Sequence, residues 1–404
     1  MKNFIIFIFL LLLVSCNQEH KPENRIKEDV TFLADDTLEG RQTGTVGEIK
    51  AAEYIKGRFE KLGLAPKGTD GFFQPFTFKP KTNPHEEVKF DVNGDGTITG
   101  RNVVGFLDNN AKNTVVIGAH FDHLGYGGDG SLHRGKKAIH NGADDNASGV
   151  AVLLNLASKL INTNKNNNYL FIAFSGEEMG LLGSNYFVKN PTIDTKAVSY
   201  MINMDMVGRL KDSSLAVYGT GTSPIFKQTL KSHNNNFKLI QKESGVGPSD
   251  HTSFYLADIP VLHFFTGQHA DYHKPSDDVE TLNYEGMELV SNYIYNIISD
   301  LNDNGKLAFR KTKSEREQVR FKVGLGVIPD YMYDGKGMRV DGVSEDKPAI
   351  KAGIKKGDIV IKLGDKDVTD MMSYMKALSV FKKGDKTTVV VKRKGKEVKA
   401  DIQF

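Results

Sequence analysis

The chain has 404 residues, which is long enough for two or three domains with a sizeable core. Its 53 lysines and arginines nearly balance its 50 aspartates and glutamates, so neither a basic stripe for nucleic acid nor an acidic tail is indicated. Cys16 is the only cysteine, which excludes an intramolecular disulfide framework.

The N-terminus has the pattern of an export signal. Lys2 precedes an apolar run over residues 4–14, which is too short for a settled membrane helix, and "LVSC" then ends at Cys16. This ending resembles a bacterial lipobox. We therefore expect residues 1–16 to be a lipoprotein signal peptide, Cys16 to carry the lipid, and the mature protein to be exported and membrane-anchored, in the periplasm or at the cell surface. An ordinary signal peptide with an incidental cysteine is the alternative.

A helix is predicted over residues 46–62, where apolar side chains recur every three to four positions and Gly63 supplies a stop. Residues 66–100 are rich in proline, glycine, asparagine and lysine and show no clear period.

From residue 102 onward, short apolar runs alternate with turns and helices. The runs predicted as buried strands are "NVVGFL", "TVVIGAHFD", "YLFIAFSGEE", "VSYMINMDMVG", "LAVYG" and "IPVLHFF". Helices are predicted over residues 149–162 and 285–301. Strands that alternate with helices indicate an α/β domain, with a mostly parallel central sheet flanked by helices. We place this domain at residues 24–302.

The C-terminal part differs in composition. Residues 303–317 are charged and weakly periodic, which predicts a linker. Residues 318–404 contain several strand-like runs and one helix-like run, "DMMSYMKALSV". They are predicted to form a separate, small, β-rich domain.

Histidines and carboxylates stand at the ends of three predicted strands and in two loops. Because ligands of α/β sheets bind at the carboxyl ends of the strands, we expect these side chains to meet at one edge of the sheet. They are His120 and Asp122, Asp144 and Asp145, Glu177 and Glu178, Asp205, and the loop pair His269 and His273.

Crowded carboxylates are tolerated only when cations neutralise them. Imidazole and carboxylate ligands together suit zinc, and hydrolytic zinc pairs stand roughly 3.5–4 Å apart with a bridging ligand. Glu177 and Glu178 are adjacent and leave the strand in different directions. One can bind metal while the other acts as a general base, which indicates metal-assisted hydrolysis.

Residues 28–300 are similar to the M28 family of co-catalytic zinc aminopeptidases. The resemblance rests on motifs in the family's order: "LEGRQTGTVGEIKAAEYIKGRFEKLGLAP", "GAHFDHLG", "NGADDNASGVAVLLNLA", "AFSGEEMGLLGS", "INMDMVG", "SDHTSF" and "DYHKPSDD". It implies a zinc exopeptidase fold and the removal of N-terminal residues from peptides.

The resemblance also implies the ligands of two zinc ions. His120 and Asp205 would hold one zinc, Glu178 and His273 the other, and Asp145 would bridge the two ions.

Further roles are carried over in the same way. Asp122 would orient His120, Glu177 would be the general base, and Tyr272 would stabilise the oxyanion. Asp250 and His251, from the "SDH" motif, would shape substrate binding at the rim of the site.

The C-terminal domain resembles a PDZ domain of the bacterial protease-associated type. "GLGV" stands where the carboxylate-binding loop belongs, so Gly324, Leu325 and Gly326 are the candidate residues for a peptide or protein C-terminus. A purely packing role for this domain is the alternative.

Three other functions remain open. A glutaminyl cyclase shares the fold but works with one zinc, and the presence of both His120 and Asp205 argues against it. A carboxypeptidase needs a cationic clamp for the substrate carboxylate, which the sequence does not place. A non-catalytic binding protein on a peptidase scaffold is disfavoured by the full ligand set together with Glu177.

Overall fold

The computed structural model describes residues 24–80, 88–128, 130–312, 323–330, 333, 335–343 and 347–404. The predicted signal peptide and lipid-bearing Cys16 lie outside these residues. In the part of the chain that is described, no helix combines the length and the apolar character needed to cross a membrane.

The helices alternate with strands over the first 300 residues. The α-helices are α1 (Ile26–Leu33), α2 (Val46–Lys61), α3 (Gly149–Leu160), α4 (Leu182–Lys189), α5 (Phe226–Ser232), α6 (His251–Tyr255), α7 (Tyr284–Asp300), α8 (Pro348–Lys351) and α9 (Met371–Ser379). Short 3₁₀ helices cover Asp36–Arg41, Thr195–Ala197 and Val279–Thr281, and one π-helical segment covers Ala143–Ser148.

The described strands form two separate sheets. The first sheet holds β1 (Ala65–Pro66), β2 (Phe73–Phe78), β3 (Ile98–Leu107), β4 (Asn113–His120), β5 (Asn167–Phe174), β6 (Val198–Met204), β7 (Ser214–Tyr218), β8 (Lys238–Gln241) and β9 (Val261–Phe265). The second holds β10 (Val327–Pro329), β11 (Met338–Val343), β12 (Ile359–Leu363), β13 (Lys366–Asp367), β14 (Lys386–Arg393) and β15 (Lys396–Gln403).

The first sheet has the order β1-β3-β5-β4-β6-β9-β7-β8, with β2 paired to β3. Its centre, β5-β4-β6-β9, is parallel, whereas the pairs of β3 with its neighbours and of β7 with β9 are antiparallel. The predicted α/β architecture with a parallel central sheet and flanking helices is thus confirmed.

The central strands are apolar on both faces because helices cover both sides. Every residue of β5 and β6 is buried, as expected for strands of a covered parallel sheet. Helix α3 packs on one face, with eleven of its twelve residues buried, and α7 packs against α3. The predicted helices at residues 46–62, 149–162 and 285–301 are present within two residues of their expected ends.

The segment 66–100 contains more structure than its sequence indicates. Strand β2 lies within it and pairs antiparallel with β3 from Phe73↔Val103 to Phe78↔Ile98. Pro75 is tolerated there because β2 lies at the edge of the sheet, where proline is found. Its ladder partner is β3, and the other bridges recorded for it among the described residues are the isolated pairs Asp70↔Phe73 and Phe78↔Phe90. The alternation of apolar and polar residues that indicates a strand is not visible in "FQPFTF", because aromatic and polar residues do not alternate regularly there.

The second sheet is antiparallel throughout and encloses its own core. Leu325, Val340, Val360, Val389 and Tyr374 belong to one buried cluster that shares no residue with the main core. Helix α9 begins with a capping box in which Asp370 accepts the Ser373 N–H and the Ser373 hydroxyl accepts the Asp370 N–H. This unit is the separate, small β-rich domain that the composition predicts.

The first part of the predicted linker packs against the larger unit. Leu307 is buried in the main core, the Arg310 N–H donates to the Thr222 carbonyl at 2.7 Å, and the hydroxyls of Thr312 and Tyr255 lie 2.9 Å apart. The chain is therefore fixed on the α/β unit as far as Thr312.

Candidate metal centre

Parallel pairing brings the ends of the central strands to one edge of the sheet. His120 is the last residue of β4 and pairs with Phe174, the last residue of β5. Asp205 directly follows β6, whose Asn203 pairs with Gly118 of β4. The three strand ends are thus in line, and the polar residues that follow them meet as predicted.

One group of possible ligand atoms surrounds His120. Its Nε2 lies 3.3 Å from Asp145 Oδ1 and 3.4 Å from Asp205 Oδ1. This nitrogen is buried and makes no hydrogen bond with any described residue. An orphaned imidazole nitrogen that faces two carboxylate oxygens is the arrangement expected of ligands to a common cation.

A second group surrounds the other oxygen of Asp145. His273 Nε2 lies 3.1 Å from Asp145 Oδ2 and 3.3 Å from Glu178 Oε2. His123 joins this group from the other side, with its Nδ1 2.8 Å from Glu178 Oε1 and 4.0 Å from Asp145 Oδ2. Asp145 therefore faces both groups, one with each carboxylate oxygen.

The spacing fits zinc. Ligands about 2.0–2.1 Å from a tetrahedral zinc are separated from one another by about 3.3–3.4 Å. The separations of 3.1 to 3.4 Å that involve His120 and His273 match this value. Imidazole with carboxylate is also a donor set that zinc accepts. The residues present therefore fit a zinc site.

The charges of the ionisable side chains in the second group also favour a bound cation. Burial lowers the pKa of His273, but Glu178 and Asp145 outweigh burial and raise it to about 11. Burial raises the pKa of Glu178, but His273 and His123 outweigh burial and lower it to about 2. The carboxylates thus require positive charge at this place, which a divalent cation supplies.

Glu177 lies beside both groups without belonging to either. Its backbone N–H donates to Asp122 Oδ1 at 3.0 Å, and Asp122 Oδ2 accepts the Thr43 hydroxyl at 3.0 Å. Burial raises the pKa of Glu177, His120 lowers it, and the carboxylates of Asp205 and its neighbours raise it further. The net direction is upward, which favours a carboxyl group that can hold a proton.

Asp122 contacts His120 less directly than the sequence implies. His120 Nδ1 lies 3.2 Å from the backbone carbonyl of Asp122 and 3.7 Å from its carboxylate. The carboxylate of Asp122 instead positions the backbone of Glu177. Asp122 therefore links the end of β4 to the end of β5.

A fully buried guanidinium supports the loop that carries Asp145. Arg41 is 0% exposed and donates to five carbonyl oxygens. These are the carbonyls of Phe121 at 2.6 Å, Leu33 at 2.9 Å, Gly142 at 2.7 Å, Asp145 at 3.4 Å and Asn141.

The backbone conformation of the loop that carries Asp145 depends on a glycine, Gly142. Gly142 has φ +55°, and a Cβ atom there would stand 2.1 Å from the carbonyl oxygen of Asp145. Asn146 then connects the loop to the end of β6, because its amide donates to the Met204 carbonyl at 3.0 Å and its Oδ1 accepts the Met206 N–H at 3.1 Å. The loops that carry Asp145 and Asp205 are thereby held together.

Asp277 joins the Asp145 loop to the loop of His273. Its carboxylate accepts the backbone N–H groups of Asp144 and Asp145, each at 3.1 Å. His269 lies in the same loop and places its Nε2 3.2 Å from Asp144 Oδ2. The other oxygen of Asp144, Oδ1, accepts the Gly208 N–H at 2.6 Å.

Tyr272 stands at the wall of a small cavity beside the carboxylates. Its ring stacks on His273 with 3.8 Å between ring centroids. The cavity has a volume of about 60 Å³ and is also lined by Met206, Phe265 and Gln268. A larger cavity of about 700 Å³ lies on the His123 side, with Phe78 and Leu182 among its apolar walls.

Asp250 and His251 lie in the interior of the protein. Both are 0% exposed, and neither makes a side-chain hydrogen bond that would satisfy its buried polar atoms among the described residues. Burial raises the pKa of Asp250 to about 7. His251 stacks on His263 with 4.3 Å between centroids, and His263 lines the small cavity. A direct contact of Asp250 or His251 with substrate stays a prediction.

The candidate carboxylate loop of the smaller unit leads into strand β10. Leu325 is fully buried, and its carbonyl accepts the Ala349 N–H at 2.8 Å. Gly324 is exposed, and Gly326 has φ +79°. Among the described strands, β10 pairs only with β11, so its other edge is not used by this sheet.

Sequence reasoning missed three residues of this centre. His123 stands three positions after His120 in "HFDH", and that proximity was a usable signal. Arg41 and Asp277 contact backbone groups that lie 100 or more positions away in the sequence, those of Asn141 and Asp145 respectively. No local sequence pattern indicates such contacts.

Comparison with known sequences finds two matching families. A profile described as "Peptidase family M28" matches residues 102–298, and one described as "PDZ domain" matches residues 308–404. A protein named "Probable leucine aminopeptidase" from Arthroderma benhamiae is 33% identical over 170 residues, which cover 39% of this chain and 43% of that protein. The chain thus spans less than half the length of this curated relative.

Solved structures share the fold. A zinc aminopeptidase from Bacillus subtilis superimposes with a TM-score of 0.54 and 18% identity, covering 72% of this chain and 99% of that one. A glutaminyl cyclase from Bacteroides thetaiotaomicron superimposes with a TM-score of 0.55 and 18% identity, covering 70% of this chain and 98% of that one. One fold therefore accommodates both activities.

Proposed function

The chain carries a peptidase family M28 domain followed by a PDZ domain, and on this premise we propose that it is a metal-dependent aminopeptidase with a co-catalytic zinc pair. The observation that carries the proposal is the position of Asp145, which faces His120 and Asp205 with one oxygen and the group of His273 with the other. A bridging carboxylate is what a zinc pair requires.

The proposed ligand sets follow the two groups. His120, Asp205 and one oxygen of Asp145 would hold one zinc, and His273, Glu178 and the other oxygen would hold the second. His123, at 2.8 Å from Glu178, would orient that carboxylate. Bound zinc ions supply Lewis acidity, which polarises a carbonyl oxygen and lowers the pKa of water.

Glu177 is the proposed general base. Its carboxylate accepts the proton of the attacking water and later delivers it to the leaving amine. The hydrogen bond from its backbone N–H to Asp122 fixes the residue beside both groups. Burial raises the pKa of its carboxyl group, which allows that group to hold the proton between the two transfers. Tyr272, half-buried at the wall of the small cavity, is the proposed hydroxyl donor to the developing oxyanion.

Selectivity for N-terminal residues is proposed to come from the position of the substrate's amino group. Asp145, Glu177, Glu178 and Asp205 line one small cavity. The free α-amino group of the substrate would be held beside these carboxylates, and an internal peptide bond offers no such group. Removal of one N-terminal residue at a time is the expected reaction.

The test combines zinc content with the release of N-terminal residues from a mixed peptide library, before and after chelation. Two zinc ions per chain with chelator-sensitive stepwise release support the proposal. One zinc with pyroglutamate formation would instead mean a cyclase, release from the C-terminus would mean a carboxypeptidase, and no metal with no turnover would mean a binding scaffold.

We further propose that Cys16 carries a lipid and that the exported protein is anchored to a membrane. The mature N-terminus can be identified by mass spectrometry of the membrane fraction. A diacylated Cys16, lost in Cys16→Ser, is the expected result, and a soluble chain that begins after Cys16 would overturn it.

For the PDZ domain we propose capture of a peptide or protein C-terminus by Gly324, Leu325 and Gly326, with pairing along the free edge of β10. Titration of the full chain with C-terminal peptides, monitored by the amide signals of β10, tests this role. No shift at millimolar peptide would leave packing as the role of the domain.

A further inference from the structure

The larger cavity on the His123 side of the metal centre has mostly apolar walls. Its volume of about 700 Å³ lies within the range of about 300–1,000 Å³ that is usual for ligand sites in proteins. The described residues that line it are five polar residues, four glycines and six apolar residues. The apolar residues are Phe78, Pro80, Val88, Leu124, Met179 and Leu182. The cavity therefore has the size and the lining of a site for an apolar group.

Most polar residues of this lining serve the metal centre. Glu178 is a proposed zinc ligand, and His123 places its Nδ1 2.8 Å from the Glu178 carboxylate. Asp122 accepts the Thr43 hydroxyl at 3.0 Å and the Glu177 N–H at 3.0 Å. These groups are already engaged, so apolar contact remains as the main source of affinity for a side chain that enters the cavity.

The apolar wall belongs to a hydrophobic cluster that the chain covers only in part. Phe78 and Leu182 are buried in this cluster, whereas Val88 and Met179 are half-buried at its margin. All four residues line the cavity. Because apolar surface in contact with water costs free energy, a ligand side chain that covers this wall is bound more tightly than one that does not.

The larger cavity begins at a proposed metal ligand. Glu178 lines it and also lines the small cavity of about 60 Å³, and no other described residue lines both. The small cavity contains the carboxylates that are proposed to hold the amino group of the substrate. A peptide held there places its scissile bond at the metal ligands, and its second residue comes next, about 3.8 Å further along the chain. This order assigns the larger cavity to the second residue.

We propose that the larger cavity is the subsite for the second residue of the peptide and that it selects a bulky apolar side chain at this position. The inference rests on the proposed aminopeptidase function and names its substrate class, which is peptides with leucine, phenylalanine or a similar residue after the N-terminal one. A charged side chain in the second position would lose its hydration against the apolar wall and is disfavoured.

The first experiment varies one position of a tripeptide at a time. In the series Ala-Xaa-Gly and Xaa-Ala-Gly, Xaa is glycine, leucine, phenylalanine or aspartate, and kcat/KM for release of the first residue is measured with the full-length zinc-loaded chain. In the series Ala-Xaa-Gly, leucine and phenylalanine should exceed glycine by about 10- to 100-fold, and aspartate should not exceed glycine. A preference of this size found only in Xaa-Ala-Gly would assign the cavity to the first residue and overturn the proposal.

Val88→Trp and Val88→Asp test the wall itself, because Val88 lines the cavity and is not a residue of the metal centre. Tryptophan takes up volume and aspartate makes the wall polar. Each should lower the ratio of kcat/KM for Ala-Phe-Gly to that for Ala-Gly-Gly by at least about five-fold. Val188, a half-buried valine on α4 that does not line the cavity, gives the matched controls Val188→Trp and Val188→Asp, which should keep the ratio. Because the ratio is internal to each variant, partial loss of folded protein does not change it.

Binding is measured separately from turnover. The zinc-loaded Glu177→Gln chain is titrated with Ala-Phe-Gly and with Ala-Gly-Gly by calorimetry. The dissociation constant for Ala-Phe-Gly should be lower by about 10- to 100-fold, and its binding should show the more negative heat-capacity change that burial of apolar surface produces. Equal dissociation constants would contradict the subsite.

The outcomes separate the two proposals. Release that does not depend on the second residue overturns the apolar subsite and leaves the aminopeptidase intact. A ratio that neither Val88→Trp nor Val88→Asp changes also overturns the subsite. No release of the first residue from any peptide overturns the proposed function itself, and the calorimetric comparison then decides on the subsite.

Discussion

The carboxylate of Asp277 accepts the backbone N–H of Asp145 at 3.1 Å, while the imidazole of His273, four residues earlier in the same loop, faces the carboxylate of Asp145 at 3.1 Å. One loop thus holds the backbone of Asp145 and also contacts its side chain. The orientation of the bridging carboxylate depends on both contacts.

Asp277→Asn should weaken zinc binding. The amide nitrogen of asparagine cannot accept the N–H groups that both oxygens of Asp277 now accept, so the Asp145 loop loses part of its support. Loss of a contact that orients a metal ligand typically costs 10–100-fold in metal affinity. Competition with a chromogenic chelator measures this affinity. Asp278→Asn is the matched control, because the one hydrogen bond that the carboxylate of Asp278 accepts from the described residues comes from the neighbouring Val279 N–H. Equal affinity in both variants would contradict the role of Asp277.

Glu177→Gln should retain both zinc ions and lose turnover by about 10²–10⁴-fold. The amide keeps the shape of the side chain and cannot take up a proton. Zinc content by elemental analysis and kcat/KM on a peptide are measured on the same preparation. Glu178→Gln serves for comparison and should lose zinc as well as activity. Substantial turnover by Glu177→Gln would show that another group moves the proton.

Arg41→Met should destabilise the protein by about 3–5 kcal/mol, since removal of a buried charged partner leaves carbonyls and nearby carboxylates uncompensated. Urea unfolding of the metal-free protein, followed by circular dichroism, measures the change. Arg41→Lys retains the charge but cannot reach five carbonyls, so we expect it to recover only part of the loss. Full recovery by lysine would assign the effect to charge alone.

The PDZ domain should lose stability in acid through Asp358. Burial alone would raise the pKa of Asp358, but the bidentate hydrogen bonds from Arg393, at 2.7 and 2.6 Å, together with the Lys355 N–H, outweigh burial and lower it. A carboxyl with a depressed folded-state pKa stabilises the fold above its unfolded-state pKa of about 3.9. That contribution is lost as the pH falls through the folded-state pKa.

Asp358→Asn should therefore speed amide hydrogen exchange in strands β14 and β15 at pH 6, and the difference from the natural chain should shrink below about pH 4. Exchange is measured by mass spectrometry on the full chain and corrected for the intrinsic rate at each pH. Asp365→Asn, at a side chain that is 80% exposed, is the control and should change little. A difference that stays constant down to pH 3 would contradict this origin.

The central strands and the line of polar residues at their ends could be predicted because both depend on local sequence. Apolar runs such as "YLFIAF" identify a covered strand, and parallel strands must end at one edge. His120, Glu178, Asp205 and the others therefore follow from their positions after strands. The placement of Asp145 between two groups does not follow in this way and was inferred from the family resemblance.

The supporting contacts could not be predicted from sequence for a physical reason. An arginine is expected at the surface. Arg41 is buried only because five backbone carbonyls, mostly from distant segments, accept hydrogen bonds from its guanidinium group. Strand β2 was missed because its aromatic and polar residues conceal the alternation, and its pairing partner lies some 20 to 30 positions away. Asp250 and His251 were predicted at the rim of the site from the family resemblance, and their complete burial depends on packing that their local sequence does not show.

Arg41 also limits how far the larger domain can be shortened from its N-terminal side. The M28 match begins at residue 102, but the guanidinium that holds the Asp145 loop comes from residue 41. Glu48 adds a second connection, because its carboxylate accepts the Arg101 N–H and the Ser175 hydroxyl. A fragment trimmed to the matched residues would keep every proposed zinc ligand and lose the groups that hold them in place. A unit chosen for truncation, fusion or domain exchange should therefore include Arg41, some 60 residues upstream of the matched segment.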